Sequence, residues 1–168
     1  LALMNLACGA NVIGYYVYHG GTHPVGKHSY MNEFTVPRLS YDFQAPLREY
    51  GQFAPSFRSL RLLHSFLADF GGLLASMAVA LPDDAAVIPP DDTTRLRFAA
   101  RHQDGAGFLF LNNYQDHVET RDIPGVQIAL TLPGETRYVP HDAPLVLQKN
   151  VSAILPFGLT LDGVRLRY

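Results

Sequence analysis

A single cysteine, Cys8, is the whole thiol content of this 168-residue chain, which excludes an internal disulfide framework and a thiolate-rich metal site. It leaves the redox compartment, and with it the localisation, open. A strong charge of either sign is also missing: 13 basic residues face 15 acidic ones, for a formal net charge of -2, and the basic residues form no block. Such a chain carries no electrostatic footprint for a polyanion, so nucleic acid is not an expected partner. Long apolar runs are absent as well. Gly or a charged residue interrupts each one before the roughly 18 residues needed to cross a bilayer. No basic-plus-apolar leader opens the chain, and no membrane segment is expected. What remains is 48% hydrophobic and 17% charged, the balance of a folded globular protein with room for one ordinary domain or two small ones. The chain opens at Leu1 and stops at Tyr168 within an alternating pattern, which reads as an excerpt of a longer polypeptide.

Along the chain, Leu1 to Ala10 is small and apolar and suits the last turns of a helix closed by Gly9. Val12 to Tyr18 (VIGYYVY) is a continuous apolar, β-favouring run without polar alternation, which reads as a buried parallel strand. From His19 to Gly51 the chain is rich in Gly, Pro, Ser, Asn and Tyr and has no regular period, so it reads as a long functional loop. Pro55 can start a helix. Phe57, Leu60, Leu63, Leu67, Phe70 and Leu74 then repeat at steps of three and four, and Gly71-Gly72 is expected to close that helix. Helix, strand, loop and helix in this order make one unit of an α/β fold whose neighbouring strands are missing. Leu81 to Asp92 reads as an exposed connector, and beyond it the period changes to two. There Arg95, Arg97 and Arg101 alternate with Leu96, Phe98 and Ala100. Pro133-Gly134 and Asp162-Gly163 mark turns, so an antiparallel sandwich or part of one is expected. The division is thus 1–80, a linker over 81–92, and 93–168.

Several motifs compete for a function. Gly21 to Lys27 fits part of a phosphate-binding loop, but His28 stands where a Ser or Thr should hold Mg²⁺, and the following residues do not suit a helix N-terminus. That reading requires a helix beginning near Lys27. His19, His23 and His28 lie close in sequence, yet Gly20, Gly21 and Pro24 rule out the helix that would make such spacing converge, so no metal is expected. Glu33 could serve as a glycosidase acid only with a partner such as Asp42 or Glu49 at about 5 to 9 Å. A loop-bracing carboxylate is the preferred reading of Glu33.

The tyrosines are more informative. Six of nine lie in the first fifty residues: Tyr15, Tyr16, Tyr18, Tyr30, Tyr41 and Tyr50. Each offers an apolar face to the C–H side of a sugar ring and a hydroxyl to its OH groups, so this loop suits carbohydrate. The competing reading is plain packing. In a strand, Tyr16 and Tyr18 share one side and Tyr15 takes the other.

Gly14-Tyr-Tyr-Val-Tyr-His-Gly-Gly-Thr22, then Leu39-Ser-Tyr-Asp-Phe-Gln-Ala-Pro-Leu47 and Glu49-Tyr50-Gly51, resemble two consecutive blocks of the family 35 glycoside hydrolases, the β-galactosidases. These are the Y-x-Y/F-x-G-G-T-N and S-Y-D-Y-D-A-P-L-x-E-x-G blocks. The resemblance is dense from about Ala10 to Phe70 and thinner through Phe108 to Asn113 and Ile154 to Arg167. It implies the last βα unit of a (β/α)₈ TIM barrel, with Val12 to Tyr18 as strand eight and Phe57 to Phe70 as helix eight, followed by part of a β-sandwich. It further implies a retaining exo-β-galactosidase that releases terminal β-galactose and uses no cofactor. The acid/base and nucleophile glutamates would lie upstream of Leu1, so the chain alone should be inactive. By the same resemblance Tyr16, Tyr41 and Phe43 form one wall of the pocket that binds the β-galactoside, and the setting is extracellular or periplasmic. Phe43 stands where the family has a second tyrosine, His23 where it has Asn, and Gln44 where it has Asp. A noncatalytic carbohydrate-binding or scaffold module is the alternative.

Overall fold

The computed structural model describes residues 1–27, 32–33, 36–37 and 39–166, with the backbone alone for 32, 33, 36 and 37. The chain opens with helix α1 (Ala2–Ala7) and the short strands β1 (Gly21–Thr22), β2 (Asn32–Glu33), β3 (Val36–Pro37) and β4 (Ser40–Tyr41). Helix α2 (Pro55–Ala75) and β5 (Ala78–Ala80) follow, then a 3₁₀ turn at Ala85–Val87. The rest is strand: β6 (Arg97–Gln103), β7 (Ala106–Asn112), β8 (Ile123–Val126), β9 (Ile128–Leu132), β10 (Glu135–Val139), β11 (Leu145–Leu147), β12 (Ser152–Phe157), β13 (Thr160–Leu161) and β14 (Val164–Arg165). Two compact units result, one of Leu1–Ile13 with Gly72–Tyr168 and one of Gly14–Gly71.

The first unit is built on a four-stranded antiparallel sheet in the order β12-β7-β6-β5. Its central strand β7 is apolar on both faces, and Phe108, Leu109, Phe110 and Leu111 are all buried. On one face Ala100, Leu109, Leu111 and Phe157 join Val126, Val139 and Leu147, which come from the paired strands β8–β11 and β9–β10. On the other face α1 lies against β6 and β7. Short turns make this possible. Asp104-Gly105 links β6 to β7 with φ of +52° and +75°, and Asp162-Gly163 links β13 to β14 with φ of +48° and +78°, the left-handed pair that a twist-matched two-residue hairpin requires. Pro133-Gly134 joins β9 to β10.

The period of two holds through β6, but it does not give the burial of Arg101. This residue is 1% exposed, on the same face as Ala99 and across from Phe108. Its guanidinium donates from Nε to Met77 O (3.0 Å), from Nη1 to Leu6 O (2.8 Å), and from Nη2 to Leu74 O (2.8 Å) and Asn11 Oδ1 (3.1 Å). Leu6 and Leu74 lie in the last turns of α1 and α2; each carbonyl also accepts a backbone N–H, from Gly9 and Met77 respectively (both 3.1 Å), and lies at the negative end of its helix dipole. An arginine can be buried here because those carbonyls supply the compensation that solvent would otherwise give.

In the second unit α2 begins at Pro55, as its sequence signals require, and Leu63 on the apolar stripe is buried. Arg58, Arg61 and Asp69 are exposed. The helix does not stop at Gly71-Gly72 but runs on to Ala75. Glycine weakens a helix interior by about 1 kcal/mol without terminating it, and Leu74, the next residue of the stripe, is buried at 2% exposure.

The buried parallel strand expected over Val12–Tyr18 is not formed. No ladder includes these residues, Val12 is 88% exposed and Tyr16 86% exposed, and the one parallel bridge nearby pairs His19 with Leu47. A parallel strand needs hydrogen-bonded neighbours on both sides, and the chain supplies none within the described residues. The fold is mixed helix and antiparallel sheet, and the described residues close no barrel.

Candidate functional site

The site grows out of the Gly-Gly-Thr turn. Strand β1 pairs antiparallel with β4, Gly21 opposite Tyr41 and Thr22 opposite Ser40. Gly20 N donates to Leu47 O (2.7 Å), Leu47 N to Tyr18 O (3.0 Å), and His23 N to Leu39 O (2.6 Å). This seats residues 39–47 against residues 18–23. The approach is close enough that a Cβ on Gly20 would stand 2.6 Å from Asp42 Oδ1 and 3.0 Å from Asp42 Cα, so only glycine fits.

Carboxylates brace this frame. Thr22 and Ser40, opposite each other on β1 and β4, both donate their hydroxyls to Glu49. Those two bonds, Ser40 first and Thr22 second, hold the Glu49 carboxyl below its ordinary pKa, so it is an anionic tie. Asp42 pairs with Arg48 through Oδ2 and accepts from Ala45 N through its carbonyl (2.8 Å), closing a turn over Phe43-Gln44. Both turn residues have left-handed backbones, φ +43° and +53°, which cost non-glycine residues roughly 1 to 2 kcal/mol each. The turn holds the Phe43 ring against Tyr41.

The aromatic cluster is compact. Tyr16 Oη lies 2.8 Å from Tyr41 Oη. The Phe43 ring stands edge-on to Tyr41 at 4.5 Å and to Tyr16 at 6.4 Å, and His23 meets Tyr41 edge-on at 5.0 Å. Tyr16, Tyr41 and Phe43 are therefore brought together, with Tyr16 and Phe43 well exposed. Among the described residues, the buried polar atoms His23 Nε2 and Asp42 Oδ1 find no hydrogen-bond partner.

The second tyrosine group differs from expectation. Tyr18 does not share a side with Tyr16 but sits with Tyr15 at 5.3 Å, and both rings lie on His64 of α2. Bends at Tyr16 and Tyr18 break the period of two. Tyr15 Oη is 2.8 Å from His64 Nε2, and burial, with Tyr18 adding to it, raises the Tyr15 phenol pKa.

The other motifs take their places around this. Residues 23–27 are irregular and Asn32–Glu33 is strand, so the described backbone has no helix at Lys27 and the phosphate-loop reading falls. His28, Tyr30 and the Glu33 side chain lie outside the described residues, and among the described residues no group of three potential metal ligands forms. No described helix is long and apolar enough to cross a membrane. The bracing by Glu49, the Tyr15–His64 bond and the burial of Arg101 were missed in the sequence. For Glu49 the signal was present: Thr22, Ser40 and Glu49 all lie in the two quoted blocks, but their convergence depends on the β1–β4 register.

An exposed rim of aromatic rings and paired phenols, set on a glycine-tight frame, is the kind of surface with which proteins grip sugars. Residues 3–67 match the family described as glycosyl hydrolases family 35, which supports a relationship of this part of the chain to glycoside hydrolases of the galactosidase type. No curated protein and no solved structure gives a match.

Proposed function

We propose that the chain supplies one wall of the sugar pocket in a retaining, exo-acting β-galactosidase-like hydrolase that releases terminal β-galactose without a cofactor. In this reading residues 1–80 are the C-terminal portion of a (β/α)₈ barrel, 81–92 the linker, and 93–168 an incomplete β-sandwich. Both catalytic glutamates sit on other barrel strands of the same polypeptide. The observation that carries it is the Tyr16–Tyr41 hydroxyl pair with Phe43 packed against it, inside the segment that matches family 35.

The chain's own residues then bind and orient. Phe43 gives the C–H face of the sugar an apolar contact, and the phenols of Tyr16 and Tyr41 exchange hydrogen bonds with sugar hydroxyls. Phe43 has no hydroxyl, so a sugar OH buried against it goes unpaired at a cost of about 1 to 3 kcal/mol. This loosens the preference for galactose. Glu49 keeps the frame in register and does not move a proton. Retention requires two carboxyls about 5 to 5.5 Å apart, whereas Glu49 is tied to Thr22 and Ser40 and Asp42 to Arg48. That same observation favours, for the chain in isolation, a second reading as a carbohydrate-binding module.

The chain alone should show no turnover of a chromogenic β-galactoside. In the polypeptide that includes the glutamate-bearing strands, Tyr16→Phe and Tyr41→Phe should each lower kcat/KM by about tenfold or more, the loss of roughly one hydrogen bond to a bound group. Melting temperature should hardly change. Parallel losses of activity and stability would return both tyrosines to the scaffold, and an upstream sequence without a glutamate-bearing strand would favour binding alone.

A further inference from the structure

Arg101 joins points that are remote in sequence: it lies 95 residues from Leu6, 90 from Asn11 and 27 from Leu74. Asn11 adds a cross-tie by donating from Nδ2 to Ala75 O at 3.0 Å, across 64 residues. These partners flank the places where the chain leaves the sheet-bearing unit, after Ile13, and rejoins it, at Gly72. The segment strung between them holds Tyr16, Tyr41 and Phe43. Closing so long a segment carries an entropic cost that one exposed hydrogen bond could not offset. A guanidinium can, because its planar fork offers five N–H donors, and here they reach four acceptors at once in a buried setting. No carboxylate is among those acceptors. The charge is met by the carbonyl ends of two helices, so it holds those ends themselves.

We infer that Arg101 is a positioning residue that clamps together the exit and re-entry points of the Gly14–Gly71 segment. Its bearing on sugar binding rests on the function proposed above, whereas the clamp itself does not. Lysine cannot replace it, since one ammonium has three donors and no fork. Asn11 is the second half of the clamp, linking the guanidinium to the end of α2.

The test compares the chain with its Arg101→Lys, Arg101→Met and Asn11→Ala variants by thermal melting and residue-resolved amide hydrogen exchange. Both Arg101 variants should melt about 10 °C or more below the parent chain. Amides of residues 9–13 and 74–78 should gain exchange rate about tenfold beyond any gain at Phe108–Leu111. Asn11→Ala, which leaves the other three acceptors, should show that local gain with little change in melting. Because it needs only the loss of a surface-side arm, it reads out the clamp even if the Arg101 variants fail to fold. Rescue by Lys, exchange gains equal in β7 and at both junctions, or an Asn11→Ala chain with unchanged exchange at residues 74–78 would each overturn the inference. None of these readouts involves a sugar, so failure of the clamp and failure of the proposed function are distinguishable.

Discussion

Strand β7, with its unbroken apolar run over 106–111, and residues 12–18, a similar run of seven, fare differently: Phe108 to Leu111 are 0 to 1% exposed while Val12 and Tyr16 are 88% and 86% exposed. Composition does not separate them; the source of their neighbours does. The first neighbour of β7, β6, arrives through the Asp104-Gly105 turn, and the second, β12, is another antiparallel strand of the same unit. Antiparallel partners can be delivered by a two-residue turn. Parallel partners need crossovers of a dozen residues or more, each carrying another strand. Among the described residues, 12–18 join no ladder; Tyr18 O accepts from Leu47 N beside the bridge of His19 to Leu47.

The largest break in this comparison should come from truncating one residue in each run. Leu109→Ala should cost about 2 to 5 kcal/mol, because it opens a cavity in a close-packed core. Tyr16→Ala should stay within about 0.5 kcal/mol in the same denaturant titration. Comparable losses would mean that residues 12–18 are as buried as β7. A smaller effect, of opposite sign, is expected in the site turn. Gln44→Gly should raise stability by about 1 kcal/mol by relieving its left-handed backbone, measured as a higher denaturant midpoint at unchanged slope. The smallest lies in Glu49. Its folded pKa is depressed, so its contribution is present above the ordinary carboxyl value and is lost as pH falls through the lower folded value. Glu49→Gln should therefore reduce the difference in melting temperature between pH 7 and the acid end. An unchanged acid limb would show that the Ser40 and Thr22 bonds add nothing.

Much was legible where local chemistry decides. The end of α1 near Gly9, the start of α2 at Pro55, and the turns at Pro133-Gly134 and Asp162-Gly163 follow from residues adjacent in sequence. Tyr16, Tyr41 and Phe43 lie together in the structure, a proximity for which the pattern itself offered no distance. Illegible were features set by partners far along the chain. The alternation of Arg101 with its apolar neighbours gave no sign of its burial, because its acceptors sit far along the chain at Leu6, Asn11, Leu74 and Met77. Tyr18 changed sides because the period of two holds only while a ladder enforces it.

The hydroxyl contact between Tyr16 and Tyr41 has a chemical consequence of its own. Two phenols joined this way have two protons between them, and one lies in their shared bond. Either phenol can be the donor, so the pair can reverse the sense of its shared bond, and the two rings behave as one amphoteric group. Changing the accepting ring to phenylalanine releases the donor's proton from that bond, whereas changing the donating ring removes the proton altogether, so the two single variants are not equivalent.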